Sequence, residues 1–99
     1  MSGLSDATIK KIQVIFSNYP SIDKVVLYGS RAKGTHKPGS DIDLVLYGTH
    51  LTLKTVYAIM EDIEHLYLPY KFDITIYSSI DNPKLLEHIN RAGKLFYRK

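Results

Sequence analysis

The stretch Tyr28–Gly34, YGSRAKG, and the stretch Ser40–Leu44, SDIDL, carry the strongest signal in this chain. In the first, a glycine–serine pair ends an apolar run, and in the second, two aspartates two residues apart begin the next run. A serine hydroxyl and backbone N–H groups after such a glycine can hold a phosphate. Paired carboxylates can hold a divalent cation. The two stretches therefore predict two strands whose connecting segment and ends form a site for phosphate chemistry.

The pattern around these stretches predicts a single α/β domain spanning residues 1–99, because helical and strand periodicities alternate along the chain. We expect a small mixed β-sheet with helices packed on one face. Ser5 and Asn82 are placed to cap the first and last long helices. The expected helices span residues 5–18, 52–67 and 83–92, with a short helical segment at 29–33. The expected strands span residues 24–28, 41–47 and 71–77, and residues 95–97 form either a final strand or a packing segment.

Composition narrows the functional classes. The chain has 99 residues, a net charge of +3 and no cysteine, which excludes disulfides and thiolate metal sites. No apolar run approaches the roughly 18 residues of a membrane span, and no secretory signal pattern is present. The charge is too small to indicate nucleic-acid binding by itself. These observations predict a cytoplasmic protein with no membrane segment and no direct nucleic-acid binding.

Three aspartates are the candidate metal ligands and catalytic groups. The period of two along residues 41–47 places Asp41, Asp43 and Val45 on one face of a strand. Carboxylates held that close repel each other unless a cation lies between them. If the next strand is a neighbour and Asp73 faces the same way, the three carboxylates could hold two metal ions for in-line phosphoryl or nucleotidyl transfer. Each aspartate alone fits a solvated strand end, but their combined order favours the functional interpretation.

The glycine loop has more than one interpretation. Gly29 permits close approach of the backbone and Ser30 can contact a phosphate, although an ordinary strand-to-helix turn would use the same residues. Arg31 is either a phosphate contact or a solvated loop charge. The Walker A ending and the flanks of a hydrolase nucleophile elbow are both missing. Four histidines show no metal-ligand spacing and are expected at the surface: His36, His50, His65 and His88.

The residues Gly29–Gly34 and Ser40–Leu44 resemble the signature of the polymerase beta-like nucleotidyltransferase superfamily. The short chain resembles its minimal nucleotidyltransferase (MNT) branch, and the resemblance covers nearly the whole sequence. It implies a nucleotide site, two Mg²⁺ ions, and a third aspartate that helps to bind metal and acts as, or orients, the base. By position the nucleotide-binding candidates are Gly29, Ser30, Arg31 and Ser40, and the catalytic and metal-binding candidates are Asp41, Asp43 and Asp73.

The resemblance also implies a reaction and a partner. MNT proteins resemble the antitoxin half of two-gene systems whose other half is a HEPN-domain ribonuclease toxin. The implied reaction transfers AMP from ATP to a hydroxyl of that toxin, most simply a tyrosine. Because 99 residues leave little room for an acceptor site, we expect the acceptor surface on a partner or on a second copy of the chain, in a hetero-complex or a homo-oligomer.

Two other functions remain open at this level. The chain could be a non-catalytic antitoxin that neutralises the toxin by binding alone. It could also be a small-molecule nucleotidyltransferase, although the short chain offers no second lobe to shape a small-molecule pocket. A template-dependent polymerase fits least, for the same reason and because the basic surface is modest.

Overall fold

Four α-helices and four β-strands are formed by residues 3–99, the part of the chain that the computed structural model describes. In chain order they are α1 (Asp6–Ser17), β1 (Ile22–Tyr28), α2 (Ser30–Lys33), β2 (Ile42–Gly48), α3 (Leu53–Glu64), β3 (Phe72–Ile76), α4 (Pro83–Ala92) and β4 (Lys94–Arg98), with a 3-10 turn at Tyr77–Ser79. All predicted elements are present, and the predicted α/β fold is confirmed.

The four strands form one mixed sheet in the order β3-β2-β1-β4. β1 pairs antiparallel with both β2 and β4, whereas β2 pairs parallel with β3 through the α3 crossover. The C-terminal segment, which the sequence left as a strand or a packing segment, is therefore an edge strand beside β1. This arrangement brings the end of β1 and the beginnings of β2 and β3 to the same edge of the sheet.

One face of the sheet packs against α1 and α3. The strand residues on this face alternate as predicted, with Ile42, Leu44 and Leu46 fully buried. The helices contribute apolar stripes at helical spacing, including Ile12 and Phe16 from α1. This is the main hydrophobic core, and it holds β1, β2 and β3 in fixed register.

The opposite face is covered in part by α4. Helix packing on one face, as predicted, describes α1 and α3, while α4 lies on the other side of the sheet. There Tyr28, Val45 and Ile89 form a second, smaller buried cluster. Val45, which the sequence assigned to the aspartate side of β2, does lie on that side but is fully buried, in a cluster with Ile89 of α4 against which Tyr77 and Ile80 also pack.

The first residues of α1 and α4 are capped by the side chains that the sequence predicted. Ser5 Oγ accepts a hydrogen bond from the Thr8 N–H at 3.1 Å, and Asn82 caps α4 in the same way. The predicted end of α3 at Tyr67 is three residues too late, since the chain tightens into a turn after Glu64 and Tyr67 takes a φ of 53°.

Among residues 3–99, no helix has the length and apolar character that a membrane span requires.

Candidate functional site

Three strand ends meet at one edge of the sheet and carry predicted functional residues. β1 ends at Tyr28 beside the beginning of β2, because the two strands are antiparallel, and β3 begins at the same edge, because it is parallel to β2. In the register of the sheet, Tyr28 pairs with Asp43, and Asp43 pairs with Asp73. Residues directly opposite each other share a face of the sheet. Asp43 and Asp73 therefore lie side by side on the same face of two neighbouring strands, which is the arrangement that the sequence analysis required for a cluster of carboxylates.

Gly29 brings the backbone directly against the Asp43 carboxylate. Its φ of 77° and ψ of −158° lie in a region that is essentially limited to glycine. A Cβ on Gly29 would also collide with Oδ2 of Asp43. Glycine is therefore required twice at this position, once by the backbone conformation and once by the close approach of the carboxylate.

The carboxylates are close enough to perturb one another. Burial raises the pKa of Asp43 from 3.8 to about 6, with further contributions from the negative charges of Asp73 and then Asp41. Asp41, just before β2, and Asp73 are exposed, whereas Asp43 is half-buried. A bound cation would relieve this repulsion and return Asp43 to its charged form at lower pH.

This set of donors fits an open magnesium site. Mg²⁺ prefers oxygen ligands and is usually held by one or two carboxylates together with waters and substrate phosphates. Within residues 3–99, no three His, Cys, Asp or Glu side chains are drawn together closely enough to hold a metal by themselves. The carboxylate oxygens of Asp41, Asp43 and Asp73 are donors of the kind that Mg²⁺ accepts.

Tyr28 lies beside Asp43 in the sheet and is only 7% exposed. Burial raises its pKa above the usual 10.0; a hydrogen bond with Thr75 opposes this shift, and the charges of Asp73 and Asp43 add to it. The phenol is therefore protonated at neutral pH. Sequence analysis did not single out Tyr28, although its position directly before Gly29 was the available signal.

Arg31 joins the two motif stretches. It is 3% exposed, so it is not a solvated loop charge. Its Nε donates a hydrogen bond to the carbonyl oxygen of Ser40 at 3.1 Å, and its guanidinium lies over the ring of Tyr70 at 5.1 Å. Ser40 Oγ accepts a further hydrogen bond from the Lys37 N–H at 2.8 Å. These contacts hold the loop between α2 and β2, while Ser30 stays partly accessible at the Gly29 turn.

His88 is a site residue that sequence analysis missed. The expectation of a surface position is wrong for it, since it is half-buried on the sheet-facing side of α4. Its Nε2 accepts a hydrogen bond from the Gly29 N–H at 3.0 Å, and its ring lies edge-on to Tyr28 with centroids 6.2 Å apart. The signal in the sequence was the spacing of Leu85, His88 and Ile89, which places the histidine in an apolar stripe.

The fold and the site define a class of protein. Residues 10–99 match the family model described as polymerase beta, nucleotidyltransferase. This match spans most of the chain, so the chain belongs to the polymerase beta nucleotidyltransferase family, and the predicted nucleotidyltransferase core is confirmed. No curated protein matches the sequence.

Solved structures with this fold include MNT antitoxins, as the sequence resemblance predicted. A toxin–antitoxin complex with AMP-PNP matches with a TM-score of 0.74 and 21% identity, over 97% of this chain and 75% of that one. A tri-AMPylated Shewanella oneidensis HEPN toxin in complex with its MNT antitoxin matches with a TM-score of 0.70 and 17% identity, over 100% and 74%. A nucleotidyltransferase-like protein from Sulfolobus solfataricus matches with a TM-score of 0.56 and 16% identity, over 98% and 92%. At these identities the similarity establishes the fold.

Proposed function

We propose that this chain is a Mg²⁺-dependent adenylyltransferase that moves AMP from ATP to a tyrosine hydroxyl of a partner HEPN ribonuclease toxin, and so acts as its antitoxin. The observation that carries the proposal is the row of Asp43 and Asp73 on neighbouring strands, with Asp41 beside it and Gly29 pressed against Asp43. The charges of Asp73 and Asp41 add to the rise in the pKa of Asp43, and carboxylates grouped in this way are suitable ligands for cations that accompany a triphosphate.

In this proposal each residue has a separate task. Asp41 and Asp43, with help from Asp73, hold two Mg²⁺ ions, which neutralise charge on the triphosphate when bound. The turn at Gly29 and Ser30 receives the phosphates. Asp73 is exposed at the start of an edge strand, where an acceptor can approach. Its carboxylate is placed to orient the acceptor hydroxyl or take its proton while the oxygen attacks the α-phosphorus and pyrophosphate leaves.

The acceptor is proposed to come from another chain. The row of aspartates opens at the edge of the sheet, and residues 3–99 supply no second lobe over it. Two structural neighbours support a protein acceptor: one is a toxin–antitoxin complex with a nucleotide analogue, and the other contains a tri-AMPylated HEPN toxin. A hetero-complex in which the toxin presents a tyrosine to Asp73 fits this arrangement.

Intact mass spectrometry of the partner tests the proposal. A HEPN-domain toxin, as the proposed partner, is incubated with the purified chain, ATP and Mg²⁺, and we expect AMP-sized adducts on the toxin. The double variant Asp41→Ala, Asp43→Ala removes ligands, and we expect it to give no adduct. Asp23→Ala changes an exposed aspartate near the opposite end of β1 and serves as the matched control. No adduct with the wild-type chain, or an undiminished adduct with the double variant, would contradict the proposal.

The non-catalytic alternative is favoured by one observation, namely that the neighbours are themselves toxin–antitoxin complexes. Neutralisation by contact would not need the carboxylates. Co-expression separates the two functions: if the double variant still protects cells from the toxin as well as the wild-type chain does, binding alone accounts for the antitoxin effect. Loss of protection with the partner still bound supports catalysis.

A further inference from the structure

The sheet-facing stripe of α4 contains one polar residue among apolar ones. Leu85, His88 and Ile89 lie at positions i, i+3 and i+4, and therefore on one side of the helix. Leu85 and Ile89 belong to the small cluster that packs α4 on the sheet. The place between them would suit another apolar side chain, so an imidazole there indicates a role other than packing alone.

The His88 imidazole accepts a hydrogen bond at the candidate nucleotide site. Its Nε2 accepts from the Gly29 N–H at 3.0 Å, so this nitrogen carries no proton and Nδ1 carries it. The ring also packs edge-on against Tyr28. Through these two contacts α4 touches the last residue of β1 and the first residue of the turn.

The turn needs support of this kind. Gly29 has a φ of 77° and a ψ of −158°, one of many conformations that glycine adopts readily, so surrounding contacts must select it. The Asp43 carboxylate limits the turn from one side, since no larger residue would fit. The hydrogen bond to His88 ties the same peptide to α4. The Gly29 N–H is thereby occupied, and the Ser30 N–H and hydroxyl remain as the donors of the turn.

We propose that His88 is a positioning residue that holds the Gly29–Ser30 turn in the conformation that receives the nucleotide phosphates. This inference rests on the proposed function for its second half, the nucleotide. Its first half, the hold on Gly29, concerns the chain alone.

Two substitutions of similar size separate hydrogen bonding from packing. His88→Gln keeps an acceptor at about the position of Nε2, whereas His88→Leu keeps the apolar bulk and removes the acceptor. His65→Leu is the matched control, because His65 is exposed and its Nδ1 contacts only the Glu61 carbonyl of its own helix. All variants are first compared by thermal unfolding, so that a loss of α4 packing is recognised.

The first readout needs no ligand. In NMR spectra of the wild-type chain, we expect a through-hydrogen-bond coupling between the Gly29 amide nitrogen and His88 Nε2, and slow exchange of the Gly29 amide. His88→Leu should speed that exchange and His88→Gln should largely preserve it. Equal exchange in the wild type and His88→Leu would overturn the inference.

The second readout is calorimetric binding of AMP-PNP with Mg²⁺. We expect His88→Leu to weaken binding about fivefold, the effect of losing one neutral hydrogen bond, with His88→Gln and His65→Leu near the wild type. Equal losses in His88→Leu and His88→Gln, or no loss in either, would overturn the positioning role. If the wild-type chain binds no nucleotide, the proposed function fails, while the amide exchange still decides whether His88 holds the turn.

Discussion

On one face of the sheet, β2 presents Ile42, Leu44 and Leu46 to α1 and α3, and all three are fully buried. On the other face the same strand presents Asp43 and Val45, one of them a half-buried carboxylate. The side chains on the first face are all apolar, because this face packs against the helices and excludes water. On the second face, apolar side chains that contact α4 lie next to the carboxylates of Asp43 and Asp73. Such a mixture is expected where a protein gives up some stability to form a binding site.

The largest expected change in stability lies on the uniform face. Leu44→Ala removes a fully buried side chain from the main core and should lower the free energy of unfolding by about 3 kcal/mol. Urea unfolding of the wild-type and variant chains measures this. A loss well below about 1 kcal/mol would mean that the α1/α3 face is not the principal source of stability.

A pair of glycine variants sharpens the contrast at the turn. Gly29 and Gly34 both have positive φ, of 77° and 79°, but a Cβ on Gly34 meets nothing within 4 Å, whereas one on Gly29 meets the Asp43 carboxylate. Gly34→Ala should therefore cost about 1 kcal/mol from the backbone alone, and Gly29→Ala about 2 kcal/mol or more. Urea unfolding compares them, and equal costs would remove the argument that the carboxylate shapes the turn.

The smallest expected change in the free energy of unfolding is an increase, and it depends on pH. The folded-state pKa of Asp43, about 6, lies above the unfolded value of 3.8, so the folded state holds the proton more tightly. The contribution of this group to stability is therefore full below pH 3.8 and is lost as the pH rises through about 6. Asp43→Asn removes the charge and should stabilise the chain at pH 7.5 by about 1 kcal/mol, after allowance for solvent screening.

Unfolding at two pH values checks this prediction. The advantage of Asp43→Asn should disappear near pH 4, where the wild-type carboxyl is protonated in the folded state. Asp23→Asn, an exposed aspartate away from the row, is the control and should shift stability little at either pH. An Asp43→Asn chain that is less stable than the wild type at pH 7.5 would show that the carboxylate stabilises the fold.

The same two faces explain what the sequence could predict. Periodicity of two placed Leu44 and Asp43 on opposite sides of β2, and the order of the motifs pointed to Asp73, because these signals are local to one strand or one turn. The burial of Arg31 was not readable, since it depends on Tyr70 and Ser40 arriving from other segments. His88 was missed for the same reason: its partner, Gly29, is distant in sequence and offers only a backbone N–H.

The central claim is that the carboxylate row exists to receive a cation and a nucleotide and does not serve the fold. The most direct measurement is the thermal unfolding midpoint at pH 7.5, with and without Mg²⁺ and AMP-PNP, for the wild type and Asp43→Asn. Saturating ligand at about a hundred times its Kd should stabilise the wild type by about 2.7 kcal/mol, which raises the midpoint by several degrees. We predict that Asp43→Asn starts higher without ligand and gains little with it. A wild-type midpoint that does not respond to Mg²⁺ and AMP-PNP, or an equal response from Asp43→Asn, would contradict the account.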